Sequence, residues 1–266
     1  MGNAFFVVWR ESLEAFLIAG ILYAWLKAND PGGSGRRALF IGLAAGVGLA
    51  LLLGWAMLSV QDELSGEALD SFQTATLLIA AGLITQMVLW MKKHGRQMKS
   101  RLHANLATAA DRSGKLGVAI VAALAVAREG AETVIFLYGL AQSNDLAGLT
   151  VGAITGFAAA AATAWLAAHS LTRLNIGWLL RLSSILLLII ASALLVTACD
   201  RMIGAGWLPA VLDPVWDSSA LIDDASSAGQ LFANFSGYRA RPALSTLLAW
   251  STFWIAAISV YRRKHS

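Results

Sequence analysis

The chain has 266 residues, of which 58% are hydrophobic and only 14% charged, with a formal net charge of +4. Soluble domains carry about 25% charged residues, and several apolar runs here exceed the roughly 18 residues that cross a bilayer as a helix, so composition excludes a soluble globular domain and predicts an all-α polytopic membrane protein. The single cysteine, Cys199, cannot form an intramolecular disulfide, and His94, His103, His169 and His265 fall outside the predicted spans, which excludes a thiolate or imidazole metal cage within the membrane.

The apolar pattern predicts seven transmembrane helices, at about 4–26, 38–60, 72–91, 116–141, 147–168, 182–203 and 243–261. The first run has no basic region before it and is interrupted by Arg10, so it reads as a span and not as a cleaved signal peptide. Lys and Arg mark cytoplasmic loops. Lys27, Arg36 and Arg37 lie between spans one and two; Lys92, Lys93, Arg96, Lys99, Arg101, Arg112 and Lys115 lie in a basic loop at 92–115. Arg173 and Arg181 lie between spans five and six, and the tail ends Arg262-Arg263-Lys264. The alternate loops are acidic: 61–71 holds Asp62, Glu63, Glu67 and Asp70, and 204–242 opens with Asp213, Asp217, Asp223 and Asp224. The N-terminus is therefore expected outside and the C-terminus inside. The positive charge belongs to loops facing anionic lipid and predicts no nucleic-acid partner.

One pentapeptide pattern occurs twice inside these spans. Arg10-Glu11-Ser12-Leu13-Glu14 lies in span one and Arg128-Glu129-Gly130-Ala131-Glu132 in span four. Ionised side chains near mid-bilayer cost at least several kcal/mol and mark function. Three spans separate the copies, so the second runs in the opposite direction. That predicts an inverted 3+3 repeat plus one C-terminal helix: repeat 1 at about 1–91, repeat 2 at about 116–203, an external loop at 204–242 and a last helix at 243–261. Small residues recur at Gly42, Gly46, Ala50 and Gly54 in span two, and at Gly148, Gly152, Gly156, Ala160 and Ala164 in span five. Such stripes let helix backbones approach closely.

On a helix, each motif puts its two glutamates on one face at i,i+3, and its arginine within reach of the second glutamate at i,i+4. Two such helices crossing would gather Glu11, Glu14, Glu129 and Glu132 with Arg10 and Arg128. Carboxylates without thiol or imidazole suit a hard cation: ferric iron, manganese, magnesium or calcium. The arginines would neutralise part of the charge and swing aside when a cation arrives. Arg10 is close enough to the N-terminus to snorkel to headgroups. Arg128, some 18 Å into its span at 1.5 Å per residue, is not. Asp200 and Arg201, closing span six, are expected to form an interfacial ion pair. Thr74, Thr85 and Gln86 in span three are expected in interhelical hydrogen bonds, and Gly130 offers a point of local unwinding.

These residues resemble a known family, the oxidase-coupled high-affinity iron permeases, which includes the fungal ferric permease and bacterial EfeU-like proteins. The family carries Arg-Glu-x-x-Glu in spans one and four of a seven-span protein whose N-terminus is outside. Segment 214–244 is also similar to the family's last external loop, with its Trp-Asp start and Gly-Tyr-x-Ala-x-Pro end. The resemblance implies a permease, not an enzyme, that imports iron across the inner (cytoplasmic) membrane, with iron as substrate and no permanently bound cofactor. It implies Fe3+ delivered after oxidation of Fe2+ by a periplasmic partner, which could be cupredoxin-like, a multicopper oxidase, a haem peroxidase or an iron-binding protein. Asp217, Asp223 and Asp224 stand nearest to an external cation-capture motif. Alternatives are a transporter of lead or manganese, or a membrane sensor or assembly subunit in which the motifs are structural ion pairs. An intramembrane enzyme would need a nucleophile or cofactor motif, and none is apparent; nor is a nucleotide-binding phosphate loop. Oligomeric state does not follow from the sequence.

Overall fold

A computed structural model describes residues 2–30, 33–94, 98–142, 146–169, 176–224 and 226–262. Arg96, Arg173, Arg263 and Lys264, used above to orient the chain, lie outside them. The described residues are helical, without strands: α1 Gly2–Asn29, α2 Ser34–Glu63, α3 Gly66–His94, α4 Met98–Ala141, α5 Leu146–Ala168, α6 Ile176–Gly204, α7 Ser227–Ser236 and α8 Leu244–Arg262. Each predicted span falls on one of these helices. Four stretches, Ser34–Glu63, Gly66–Lys92, Leu146–Ala168 and Arg181–Gly204, are long and apolar enough to cross a membrane, and Leu244–Val260 is a shorter apolar helix. The chain is an integral membrane protein. The remaining two long helices, α1 and α4, are the ones that carry the charged motifs.

Two expected loops contain helix. The basic segment 92–115 is largely the first part of α4, which bends at Gly114, where φ is 55°. Glycine tolerates that left-handed backbone, and most other residues do not. Beyond the bend the chain doubles back so closely that a Cβ on Gly117 would stand 2.1 Å from the Ala109 carbonyl oxygen. The segment 204–242 contains α7, capped by Ser226, whose hydroxyl accepts from the Gly229 N–H at 3.0 Å.

Helix α2 lies along α4, and α5 along α1, on the two small-residue stripes. Gly42, Gly46 and Ala50 are buried on α2, and Gly148, Gly152, Gly156 and Ala160 on α5. A Cβ on Gly46 would lie 2.7 Å from the Ala123 oxygen and 3.0 Å from the Ala127 nitrogen; a Cβ on Gly156 would lie 2.5 Å from the Phe5 oxygen and 3.1 Å from the Trp9 nitrogen. Phe5 and Trp9 stand before Arg10 as Ala123 and Ala127 stand before Arg128. The two glycines thus meet equivalent points of the two motif helices.

Two apolar cores flank the motifs. One joins Ala4 and Val7 near the start of α1 to Phe136 and Leu140 near the end of α4, with α3 and α6 between. The other joins Ile18, Leu22 and Leu26 late in α1 to Val118 and Ala122 early in the straight part of α4. Helices α1 and α4 therefore run in opposite directions, and their motifs meet between the two cores.

Candidate metal centre

The motif residues lie on uninterrupted helix, so the i,i+4 reach operates in both copies. Arg10 Nη2 is 2.8 Å from Glu14 Oε1, and Arg128 Nε is 3.0 Å from Glu132 Oε1. Arg10 Nη1 also donates to Glu11 Oε1 at 2.9 Å. Across the helix crossing, one oxygen from each of Glu11, Glu129 and Glu132 lies within 4.8 Å of the other two. That spacing is close for anionic oxygens and suits a shared cation. Glu14 joins them through Arg10. Four glutamates against two arginines give the cluster a formal charge of −2 when all are ionised.

The polar atoms here are under-satisfied. Glu11 Oε2, Glu132 Oε2 and Arg10 Nε are buried without a hydrogen-bond partner, and the Glu14 Oε1 contact to Arg10 is an ion pair whose angles fall outside a hydrogen bond. Among the described residues only Thr74 Oγ1 and Trp254 Nε1 share this condition elsewhere. A buried polar atom without a partner costs about 1–3 kcal/mol, more when charged. Concentrating four at one point singles out this helix crossing among the described residues.

The two arginines differ in burial. Arg10 does not snorkel: it is fully buried, its fork held by Glu11 and Glu14 and touching the sulfurs of Met87 and Met91 on α3. Arg128 is half exposed and lies over the Trp90 ring, 5.2 Å from its centroid. Distance along a span measures depth in the bilayer, whereas burial depends on which neighbouring helix covers that face. Gly130 is not a point of unwinding. It lies within α4 and faces Ala50, whose Cβ a new methyl would meet at 2.5 Å.

Outside the cluster, several expected partners change. Asp200 pairs with Arg239 in the long loop at 2.6 Å, and accepts from Thr246 at 3.0 Å, instead of pairing with its neighbour Arg201. Arg201 reaches Gln73 and Gln142. Thr85 donates to the Ala81 carbonyl and, with Gln86, lines a groove of about 550 Å³ bordered by Leu195 and Phe253. The acidic residues of segment 204–242 help hold that loop together. Asp217 pairs with Arg241 at 3.0 Å and accepts from Ser219, whose side-chain hydrogen bond leads the causes holding this carboxyl below its ordinary range. Asp224 accepts from the Ala240 N–H at 3.2 Å. Asp223 is exposed, and its carbonyl accepts from Ser226. None of the three lies in the carboxylate cluster at the α1–α4 crossing. Met87 and Met91 escaped the sequence reading; their i,i+4 spacing on span three, opposite a motif arginine, was a signal only once that span's neighbour was known.

Residues 1–261 match the Iron permease FTR1 family. The chain belongs to the iron permease FTR1 family. Membership supports a transporter rather than an enzyme and gives the carboxylate cluster its context. Among relatives, the chain is 29% identical over 259 residues to the "Ferrous iron permease EfeU" of Escherichia coli O6:K15:H31 (strain 536 / UPEC), covering 97% of this chain and 94% of that protein. The same figures hold for the "Putative inactive ferrous iron permease EfeU" of Escherichia coli (strain K12). The Yersinia pestis "Ferrous iron permease EfeU" is 26% identical over 97% of this chain and 92% of its own length. No solved structure matches this family member.

Proposed function

We propose that this family member imports iron across the cytoplasmic membrane through the cluster of Glu11, Glu14, Glu129 and Glu132. The observation that carries the proposal is the approach of Glu11, Glu129 and Glu132 to within 4.8 Å across two helices of an iron permease family chain. In this reading the protein has seven spans, formed by α1 to α6 and α8, arranged as an inverted repeat with the N-terminus outside. The opposed directions of α1 and α4 support it, as do the matching contacts of Gly46 and Gly156. Orientation is supported by what gathers at one end. The start of α1 meets α7 through Asn3 and Asn234; the ends of α2 and α4 meet through Gln61 and Tyr138; Asp62, Glu63, Glu67 and Asp70 join α2 to α3 beside them. An acidic outer end concentrates cations at the entrance.

Iron reaching the cluster displaces the arginine forks from the carboxylates. The formal charge of −2 balances one Fe2+, which agrees with the ferrous iron in the relatives' names. Delivery as Fe3+ after oxidation by a periplasmic cupredoxin-like protein, multicopper oxidase or haem peroxidase is the other form of the proposal, and it leaves one positive charge unbalanced at the site. The test is radioactive iron uptake into cells lacking other iron importers, with a ferrous-specific or a ferric-specific chelator outside. Uptake blocked only by the ferrous chelator supports Fe2+ entry; uptake blocked only by the ferric chelator supports prior oxidation. No iron uptake, with or without such partners, contradicts the proposal and favours lead or manganese as cargo, or a sensor role.

A further inference from the structure

Each terminal nitrogen of Arg10 contacts both a carboxylate oxygen and a thioether sulfur. Nη1 is 2.9 Å from Glu11 Oε1 and 2.5 Å from Met87 Sδ; Nη2 is 2.8 Å from Glu14 Oε1 and 2.7 Å from Met91 Sδ. Met87 and Met91 are four residues apart on α3, so both sulfurs sit on one face of that helix. Met87 is buried and Met91 half-buried. A thioether is a weak hydrogen-bond acceptor, so it adds little to the holding of a guanidinium already paired with two carboxylates. Leucine would fill the same volume. What methionine adds is a soft, polarisable donor atom on a flexible stem.

We propose that Met87 and Met91 are ligands of the transported cation and set which cations the site accepts. The proposal rests on the reading of the carboxylate cluster as the iron path. The Arg10 fork occupies a position bounded by two oxygens and two sulfurs. When it withdraws, a cation entering that position meets a mixed oxygen–sulfur donor set. Glu11 Oε2 and Arg10 Nε lack hydrogen-bond partners at the same point, and Glu14 Oε1 meets the fork only as an ion pair, so the fork leaves the pocket's polar groups incompletely satisfied. Carboxylates alone suit magnesium, calcium and manganese, whereas thioether donors favour softer metals. The two sulfurs therefore let the site hold Fe2+ or a soft divalent ion in preference to the more abundant hard ones.

The test uses Met87→Leu and Met91→Leu, singly and together, which nearly conserve side-chain volume. Radioactive Fe2+ uptake into cells is measured against rising Cd2+, a soft competitor, and rising Mn2+, a hard one, at matched membrane levels. The double variant should need about ten-fold more Cd2+ for half-inhibition, a loss typical of altered metal sites, with Mn2+ inhibition unchanged or stronger. An unchanged ratio of the two inhibitions overturns the proposal. A second readout needs no transport. In purified full-length protein carrying Cys199→Ala, to remove the thiol, X-ray absorption of bound Cd2+ should find sulfur in its shell, and Met87→Leu/Met91→Leu should remove it. A Cd2+ shell of oxygen alone overturns the ligand role. Failure of iron uptake by the wild type, with sulfur still bound to Cd2+, would instead count against the permease reading.

Discussion

The unequal burial of the two motif arginines predicts unequal costs for the same substitution. Arg10→Gln removes the cation from between two buried carboxylates, Glu11 and Glu14, whose side chains are 0% and 6% exposed. Breaking a buried pair by deleting one partner costs about 3–5 kcal/mol, because the remaining charge is stranded. Arg128→Gln removes a side chain that is 50% exposed and makes one 3.0 Å ion pair. Screening limits such a pair to about 0–1 kcal/mol, and its stacking on Trp90 adds about 0.5–1 kcal/mol at an exposed site. Arg10→Gln should therefore destabilise the protein by at least about 1 kcal/mol more than Arg128→Gln. The assay is reversible unfolding of the purified variants in mixed micelles, at one detergent composition and without added metal. Equal losses, or a larger loss for Arg128→Gln, would refute the argument that burial by neighbouring helices, not depth in the span, governs these residues.

Two further predictions concern packing and the 204–242 loop. Gly46→Ala and Gly156→Ala each force a methyl against a motif helix backbone, at 2.7 and 2.5 Å, and should cost similar amounts, about 1–3 kcal/mol each. Gly48→Ala, on α2 with nothing within 4 Å of the new Cβ, should be neutral or slightly stabilising in the same unfolding assay. The Asp217 carboxyl titrates below its ordinary range because Ser219 and Arg241 favour the ionised form. A depressed folded-state value contributes stability above the unfolded value, about 3.9, and loses it as pH falls through the folded value. The Asp217–Arg241 tie should thus persist at pH 5 and loosen only below about pH 4. Amide hydrogen exchange at Ser219, whose N–H bonds Asp217 at 3.0 Å, checks this, and protection already lost between pH 5 and pH 4 would contradict it.

Much of the site was legible because its logic is local. The i,i+4 reach of Arg10 to Glu14 and of Arg128 to Glu132 depends only on helical pitch, and the small-residue stripes of α2 and α5 announce a close neighbour by their spacing alone. What the stripes could not name was the neighbour: α2 lies on α4 and α5 on α1, each crossing to the other half of the chain. For the same reason the unequal exposure of Arg10 and Arg128 was not legible, since it depends on where α3 puts Met87 and Met91. Asp200 found Arg239 because the loop folds back over the end of α6, a contact between residues 39 apart in sequence. The helix in 98–113 was hidden by its many charges, which suit a loop by composition but do not forbid a helix in water.

The central claim is that glutamates from two helices form one iron path. Its most direct measurement is iron uptake into proteoliposomes containing purified protein, comparing wild type with Glu14→Gln and Glu132→Gln, which keep side-chain shape and remove charge. The account predicts uptake by the wild type and loss of it in both variants at equal reconstitution, since each supplies one half of the site. Undiminished uptake in either variant would place the path elsewhere in the bundle.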